Sequence, residues 1–215
     1  MKNYLILFVL FVIFTTSCKK VEIPPADLHV YLPMKTGNYW VYKNYRIDSL
    51  GNPNELQRID SLCITGDTII GAYPFYIFKF YYIYSENNMQ LGSVEYIRDS
   101  VGCLVNHQGK LLFTQYNFSD VFRLKPIILN GVDTIGNIQF RMKRLSEPVS
   151  VPAGTFQDVL SVEGKVLTNP ELDLPPNRTI EKKYAPEVGA IYESWYYLSS
   201  PVKYDKRLLR YYVQL

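Results

Sequence analysis

The chain has 215 residues, of which 47% are hydrophobic and 20% charged, and its formal net charge is +3. That charge is spread out, with short doublets such as Lys182-Lys183 and Lys206-Arg207 but no stripe to track a phosphate backbone, so nucleic acid is not an expected partner. The length suits one domain with a sizeable core.

The first element is LFVLFVIFTTSCKK. Its apolar run, Tyr4 to Phe14, is about eleven residues, too short for a helix that crosses a bilayer and the right length for the middle of an export signal. Lys2 precedes it and Thr15, Thr16 and Ser17 follow it. A cysteine directly after small residues resembles the lipobox of bacterial lipoproteins, with Thr15 standing where that motif prefers an aliphatic residue. The resemblance implies that residues 1–17 are removed and that Cys18 is acylated to become the N-terminus. Without it, the segment reads as an ordinary signal peptide with an incidental cysteine. Several acyl chains on one residue give stable anchoring, at about 0.8 kcal/mol for each buried methylene.

Residues 18–30 follow as a polar tether with a Pro24-Pro25 step, and the folded body is expected over 31–215. There the pattern becomes period-two. In IQFRMKRL, Ile138, Phe140 and Met142 alternate with Gln139, Arg141 and Lys143, and in FQDVLSVEGKV, Leu160, Val162 and Val166 alternate with polar residues. The clusters SLGNPN, ENNMQLG, NHQGK, TNPELDLPPN and APEVG punctuate about ten such strands. The prediction is a mainly β domain of curved antiparallel sheet, a half-barrel or a β-sandwich. A short helical turn has its best place in NFSDVF, residues 117–122.

PFYIFKFYYIYS breaks the simple alternation. Tyr76, Phe78, Phe80, Tyr82 and Tyr84 form an aromatic row, and Phe75, Ile77, Tyr81 and Ile83 are apolar on the other face. A strand apolar on both sides is expected between a core and a second layer. The row either builds that core or lines a concave pocket for an apolar or sugar-like ligand. Trp40 and Trp195 are expected in the core or at a pocket rim. In an oxidising compartment Cys63 and Cys103 could bridge if their strands were neighbours, within about 7 Å; two half-buried free thiols are the expected state.

The blocks YLPMKTGNYWVY, VPAGTFQDVLSVEG and KKYAPEVGAIYESWYY together resemble uncharacterised lipoproteins of the Bacteroidota. The resemblance covers most of the chain beyond the tether and implies no activity, cofactor or catalytic residue. In physical terms the blocks are scaffolding: Pro152 and Gly154, and Pro186 and Gly189, suit tight turns into the next strand. Asp followed by Ser49, Ser61, Thr68, Ser100 or Thr134 and then an aliphatic residue resembles the O-glycosylation motif of exported Bacteroidota proteins. The same tripeptides also suit a turn that opens into a strand.

Signals for chemistry are scarce. His29 and His107 have no partner at i+3 or i+4, no His/Cys/Asp group has metal-ligand spacing, and there is no Gly-x-Ser-x-Gly elbow. No catalytic residue, metal or cofactor is expected. The sequence therefore points to a non-enzymatic binding or interaction domain in the cell envelope. It is held to the outer membrane by its lipid, on the periplasmic face or at the cell surface. Lys19, Lys20 and Val21 lack the acidic cluster that resembles surface-export signals, which favours the periplasmic face. The alternative role is a carrier or sensor for a lipid or other apolar ligand on an aromatic-lined concave face.

Overall fold

A computed structural model describes residues 29–169, 178–197, 200 and 202–215. Cys18, the leader and most of the TNPELDLPPN cluster lie outside them. The described residues contain fourteen strands and no helix: β1 (Tyr39–Ile47), β2 (Pro53–Ile70), β3 (Tyr73–Ser85), β4 (Asn88–Asp99), β5 (Cys103–Asn106), β6 (Leu111–Thr114), β7 (Arg123–Leu129), β8 (Asp133–Arg144), β9 (Val149–Val151), β10 (Gly154–Phe156), β11 (Leu160–Thr168), β12 (Thr179–Ala185), β13 (Gly189–Tyr196) and β14 (Lys203–Tyr212). Twelve form one antiparallel sheet in the order β6-β5-β4-β3-β2-β1-β14-β13-β12-β11-β8-β7, and β9 and β10 pair separately as a hairpin.

The sheet curls hard. Laid flat, β6 and β12 would be eight strand spacings apart, about 38 Å. Instead the rings of Phe113 on β6 and Tyr184 on β12 stand 4.9 Å apart. Bulges in the β1, β2, β3 and β13 ladders supply local bends. The two edge strands, β6 and β7, are consecutive in the chain, so residues 115–122 bridge the gap that the curl leaves. The result is a half-barrel nearly closed on itself, with the β9–β10 hairpin packed against its core through Val149, Val151 and Phe156.

That geometry corrects two expectations. β3 has no covering layer on its outer side. There Phe75 is buried instead under Arg98, whose guanidinium lies 5.8 Å from its ring and 4.3 Å from that of Tyr73. NFSDVF forms no helical turn: the Asn117 side chain accepts the amides of Ser119 and Asp120 and closes a turn, but the chain then leaves for the sheet, where the Phe122 amide donates to the Phe140 carbonyl at 3.0 Å.

Side-chain polarity follows the curl. On the outer face, Arg207 and Lys143 pair with Asp205 and Glu163 at 3.1 and 3.0 Å. On the inner face, Gly164 leaves room for Phe140: a Cβ there would come within 2.8 Å of that ring and of Ile180. β2 and β5, which carry Cys63 and Cys103, are separated by β3 and β4, so the cysteines cannot meet, and both are free. The predicted turns are present: Gly154, which opens β10, has φ +142°, and Gly189, which opens β13, has φ +107°. FQDVLSV is interrupted, however. Phe156 ends β10, and Asp158, at φ +51°, turns the chain before β11.

One end of the barrel is plugged by the segment entering β1. Tyr31 and Leu32 are the first buried residues among those described, and the Tyr31 hydroxyl donates to the Asp158 carbonyl at 2.9 Å. Trp40 is fully buried behind them, its indole N–H donating to the Val188 carbonyl at 2.6 Å, while the Tyr42 hydroxyl donates to Ala190 at 2.9 Å. Gly189 lies between those acceptors, where a Cβ would meet the Trp40 indole at 3.0 Å and Leu32 at 3.2 Å. Because Gly189 also has a positive φ, Gly189→Ala is expected to destabilise the fold by about 1–3 kcal/mol, read as a lower urea midpoint with an unchanged slope.

Candidate functional site

Inside the curl lies a cavity of about 570 Å³, within the range of about 300–1,000 Å³ usual for small-ligand pockets. Strand direction explains its polarity. Inward residues nearest the plug are apolar: Leu32, Phe78, Ile97, Leu104, Leu112 and Ala190. Towards the other end the same inward rows become charged. On β2 the row Ile64, Leu62 leads to Asp60 and Arg58; on β12, Tyr184 leads to Lys182; on β14, Leu208 is followed by Lys206.

These charges are mostly paired. Arg58 Nε lies 2.9 Å from Asp60 Oδ1, and Asp60 is almost fully buried. Glu193 takes Lys206 at 2.9 Å and Lys182 at 3.8 Å. Burial raises the Glu193 carboxyl, but Lys206 and Lys182 outweigh it and hold it down at about 2. Asp60 goes the other way: burial outweighs Arg58 and Lys206 and lifts its carboxyl above the ordinary value. Burial likewise raises the Tyr42 and Tyr184 hydroxyls, against the pull of Lys182.

Each of these cations also rests on a ring. Arg58 stands 4.8 Å from the Tyr82 centroid, Lys206 4.6 Å from Phe80, Lys182 5.6 Å from Tyr184, and Arg123 3.8 Å from Phe140. Arg123, on β7, differs from the others in making no ion pair among the described residues; its Nε is out of contact with solvent and has no hydrogen-bond partner.

The aromatic row of β3 divides. Phe78, Phe80 and Tyr82 line the cavity, Tyr76 packs against the core, and Tyr84 is 47% exposed beyond it. Gly92 on β4 makes space for the row, since a Cβ there would lie 2.7 Å from the Tyr82 ring and 3.1 Å from Phe80. Trp195 lines the cavity and Trp40 the core. The cavity wall is thus both aromatic and charged, and sequence reasoning missed the charged part. The signal was present: Arg58 and Asp60 share the parity of Leu62 and Ile64 in RIDSLCI.

The hydroxyl residues of the five Asp-Ser and Asp-Thr sites fall in different settings. Ser49 and Thr134 are exposed, and Ser61, Thr68 and Ser100 are half-buried. Ser61 and Thr68 lie inside β2 rather than at a turn. His29 and His107 pack edge-on to Tyr31 and Tyr96, and no group of three metal-binding side chains occurs among the described residues.

No protein-family model matches the chain, and no curated protein is similar to it in sequence. Two solved structures are similar over 86% of this chain and all of theirs. One is a candidate lipoprotein from Parabacteroides distasonis, with a TM-score of 0.52 and 15% identity. It shares this fold. The other, a candidate exported protein with a YmcC-like fold from Bacteroides fragilis, has a TM-score of 0.45 and 16% identity. The Parabacteroides protein comes from the Bacteroidota, the group that the sequence blocks resemble.

The Glu193 site has a definite pH signature. Folding lowers its pKa from 4.5 to about 2, so its stabilising effect is fully present above about pH 4.5 and is lost as pH falls towards 2. Glu193→Gln is therefore expected to lower the unfolding free energy at pH 7 by about 1–2 kcal/mol, the side chain being a third accessible and partly screened. Urea titrations across pH should show the gap from wild type closing between pH 4.5 and 2.

Proposed function

We propose that the chain is an exported, non-enzymatic binding protein, tied to the outer membrane through acyl groups on Cys18, whose curled sheet holds a small ligand on its inner face. The observation that carries this reading is the cavity of about 570 Å³, with an apolar floor and a charged wall. Three of its four carboxylates are engaged, Asp60 with Arg58, Glu193 with Lys206 and Lys182, and Glu181 with Lys183, so none of the three is a free acid or base facing a substrate, which supports binding over chemistry. The export signal and Cys18 supply the anchor, and the lysines after Cys18 favour the periplasmic face. The fold shared with a candidate lipoprotein agrees with an envelope role.

Native mass spectrometry of the chain purified from its own host is expected to show a non-covalently bound molecule that is released on unfolding; a chain that carries none, alone or after incubation with envelope extract, overturns the binding role. Separately, Cys18→Ala is expected to move the chain from the membrane to the soluble fraction and to abolish N-terminal acylation. A variant that still pellets with membranes removes the anchor.

A further inference from the structure

The ion pairs in the cavity do not close. Five cations line it, Arg58, Arg123, Lys125, Lys182 and Lys206, against four carboxylates, Asp60, Glu95, Glu181 and Glu193. Asp60 is taken by Arg58 and Glu193 by Lys206 and Lys182. Glu181 pairs with Lys183, outside the lining, at 3.3 Å. Glu95 is exposed on β4, on the half of the sheet built from β1–β6.

The imbalance is concentrated on one wall. β7 contributes Arg123 and Lys125, two residues apart on one face of the strand, and neither makes an ion pair among the described residues. The neighbouring inward residues of β8, Ile138, Phe140 and Met142, carry no charge. Arg123 is the deeper of the two: half-buried, over the Phe140 ring at 3.8 Å, with its Nε unpartnered. A guanidinium cannot lose its proton to escape that position. No hydrogen bond or ion pair among the described residues takes the rest of the Arg123 guanidinium either, so those donors remain for a ligand, while the floor beyond it, Leu32, Leu104 and Leu112, offers nothing polar.

Taking the cavity as a binding site, as proposed above, we infer that its ligand is an amphiphile with an anionic head, a carboxylate or a phosphate, received by Arg123 and Lys125, and with an apolar tail laid on the Leu32–Leu104–Leu112 floor. The head completes the charge balance of the β7 wall. It also gives the Arg123 fork the planar oxygen pair, or phosphate oxygens, that match its geometry.

The test uses the full chain with Cys18→Ser, so that no acyl chain of its own competes, titrated calorimetrically below micelle-forming concentrations with dodecanoate, dodecyl phosphate, dodecanol and dodecyltrimethylammonium. The two anions are expected to bind at least tenfold more tightly than the alcohol, and the cation more weakly than the alcohol. Whichever anion binds better identifies the head. Arg123→Gln is expected to lower anion affinity by about 10–100-fold and leave dodecanol within about threefold. Arg123→Lys should recover part of the loss, and Lys125→Gln, at an exposed site that folding does not need, should cost less than Arg123→Gln but still lower anion affinity selectively. Equal affinity for all four heads, or anion binding untouched by Lys125→Gln and by any folded Arg123 variant, overturns the inference and leaves the cavity as a site for an uncharged ligand. If none of the four binds to the folded chain, the cavity reading falls with it.

Discussion

The strands from the two ends of the chain are hydrogen-bonded to each other, and everything else in the fold depends on that seam. β1 and β14 pair from Tyr39↔Tyr212 to Ile47↔Lys203 in the middle of the twelve-strand sheet. The six strands on either side are otherwise separate meanders. Asn38, fully buried, fastens the same seam: its side chain donates to the Gln214 carbonyl at 3.0 Å and accepts the Gln214 amide at 2.8 Å. A pairing across so much sequence costs loop-closure entropy before it contributes contacts, so this topology belongs with the slow-folding β architectures. Trp40 and Tyr42 sit directly on the seam and bond across to Val188 and Ala190. The plug, the seam and the β12–β13 turn are therefore one packed unit, and the curl of the sheet is anchored there.

A sheet curled this far encloses more space than its inner side chains fill. Apolar residues close the plugged end. The other end keeps ion pairs, which stability alone does not account for: a buried pair loses hydration at a cost of several kcal/mol per ion, and well-packed apolar replacements are often as stable or more so. The opposite pKa directions of Asp60 and Glu193 show the same tension within one cavity. With one principal partner, Arg58, Asp60 loses to desolvation; with two lysines, Glu193 does not.

Much of this was legible in the sequence, and what was not has physical causes. Period-two alternation identified the β class, and APEVG and VPAG identified turns whose glycines do take positive φ. The turn at Asn130-Gly131 passed unnoticed although both residues have positive φ, at 52° and 75°, the signature of the commonest tight hairpin. NFSDVF misled because an Asn that begins a helix and an Asn that closes a turn on its own side chain look alike in one dimension. The expected second layer over β3 rested on reading two apolar faces as two buried faces; an arginine laid over rings covers surface just as well. The charged cavity was hidden by the habit of assigning every polar residue in an alternating strand to water. In a closing sheet the inward row changes character along its length, from Ile64 and Leu62 to Asp60 and Arg58.

The abundance of aromatic residues, 19 tyrosines and 11 phenylalanines, then has a reason beyond filling a core. A ring face holds a cation in place without consuming its hydrogen-bond donors, which a carboxylate partner would. At Arg58, Lys182 and Lys206 the ring works beside a carboxylate; at Arg123 Phe140 works alone. The sheet can thus keep a positive charge inside and still leave it able to bind. That arrangement requires the ring and the cation on neighbouring strands in register. Arg123 stands opposite Phe140 in the β7–β8 ladder, and Gly164 on β11 leaves that ring its space. A residue with no side chain and a ring four strands from the seam thereby fix the position of Arg123, which no carboxylate holds among the described residues.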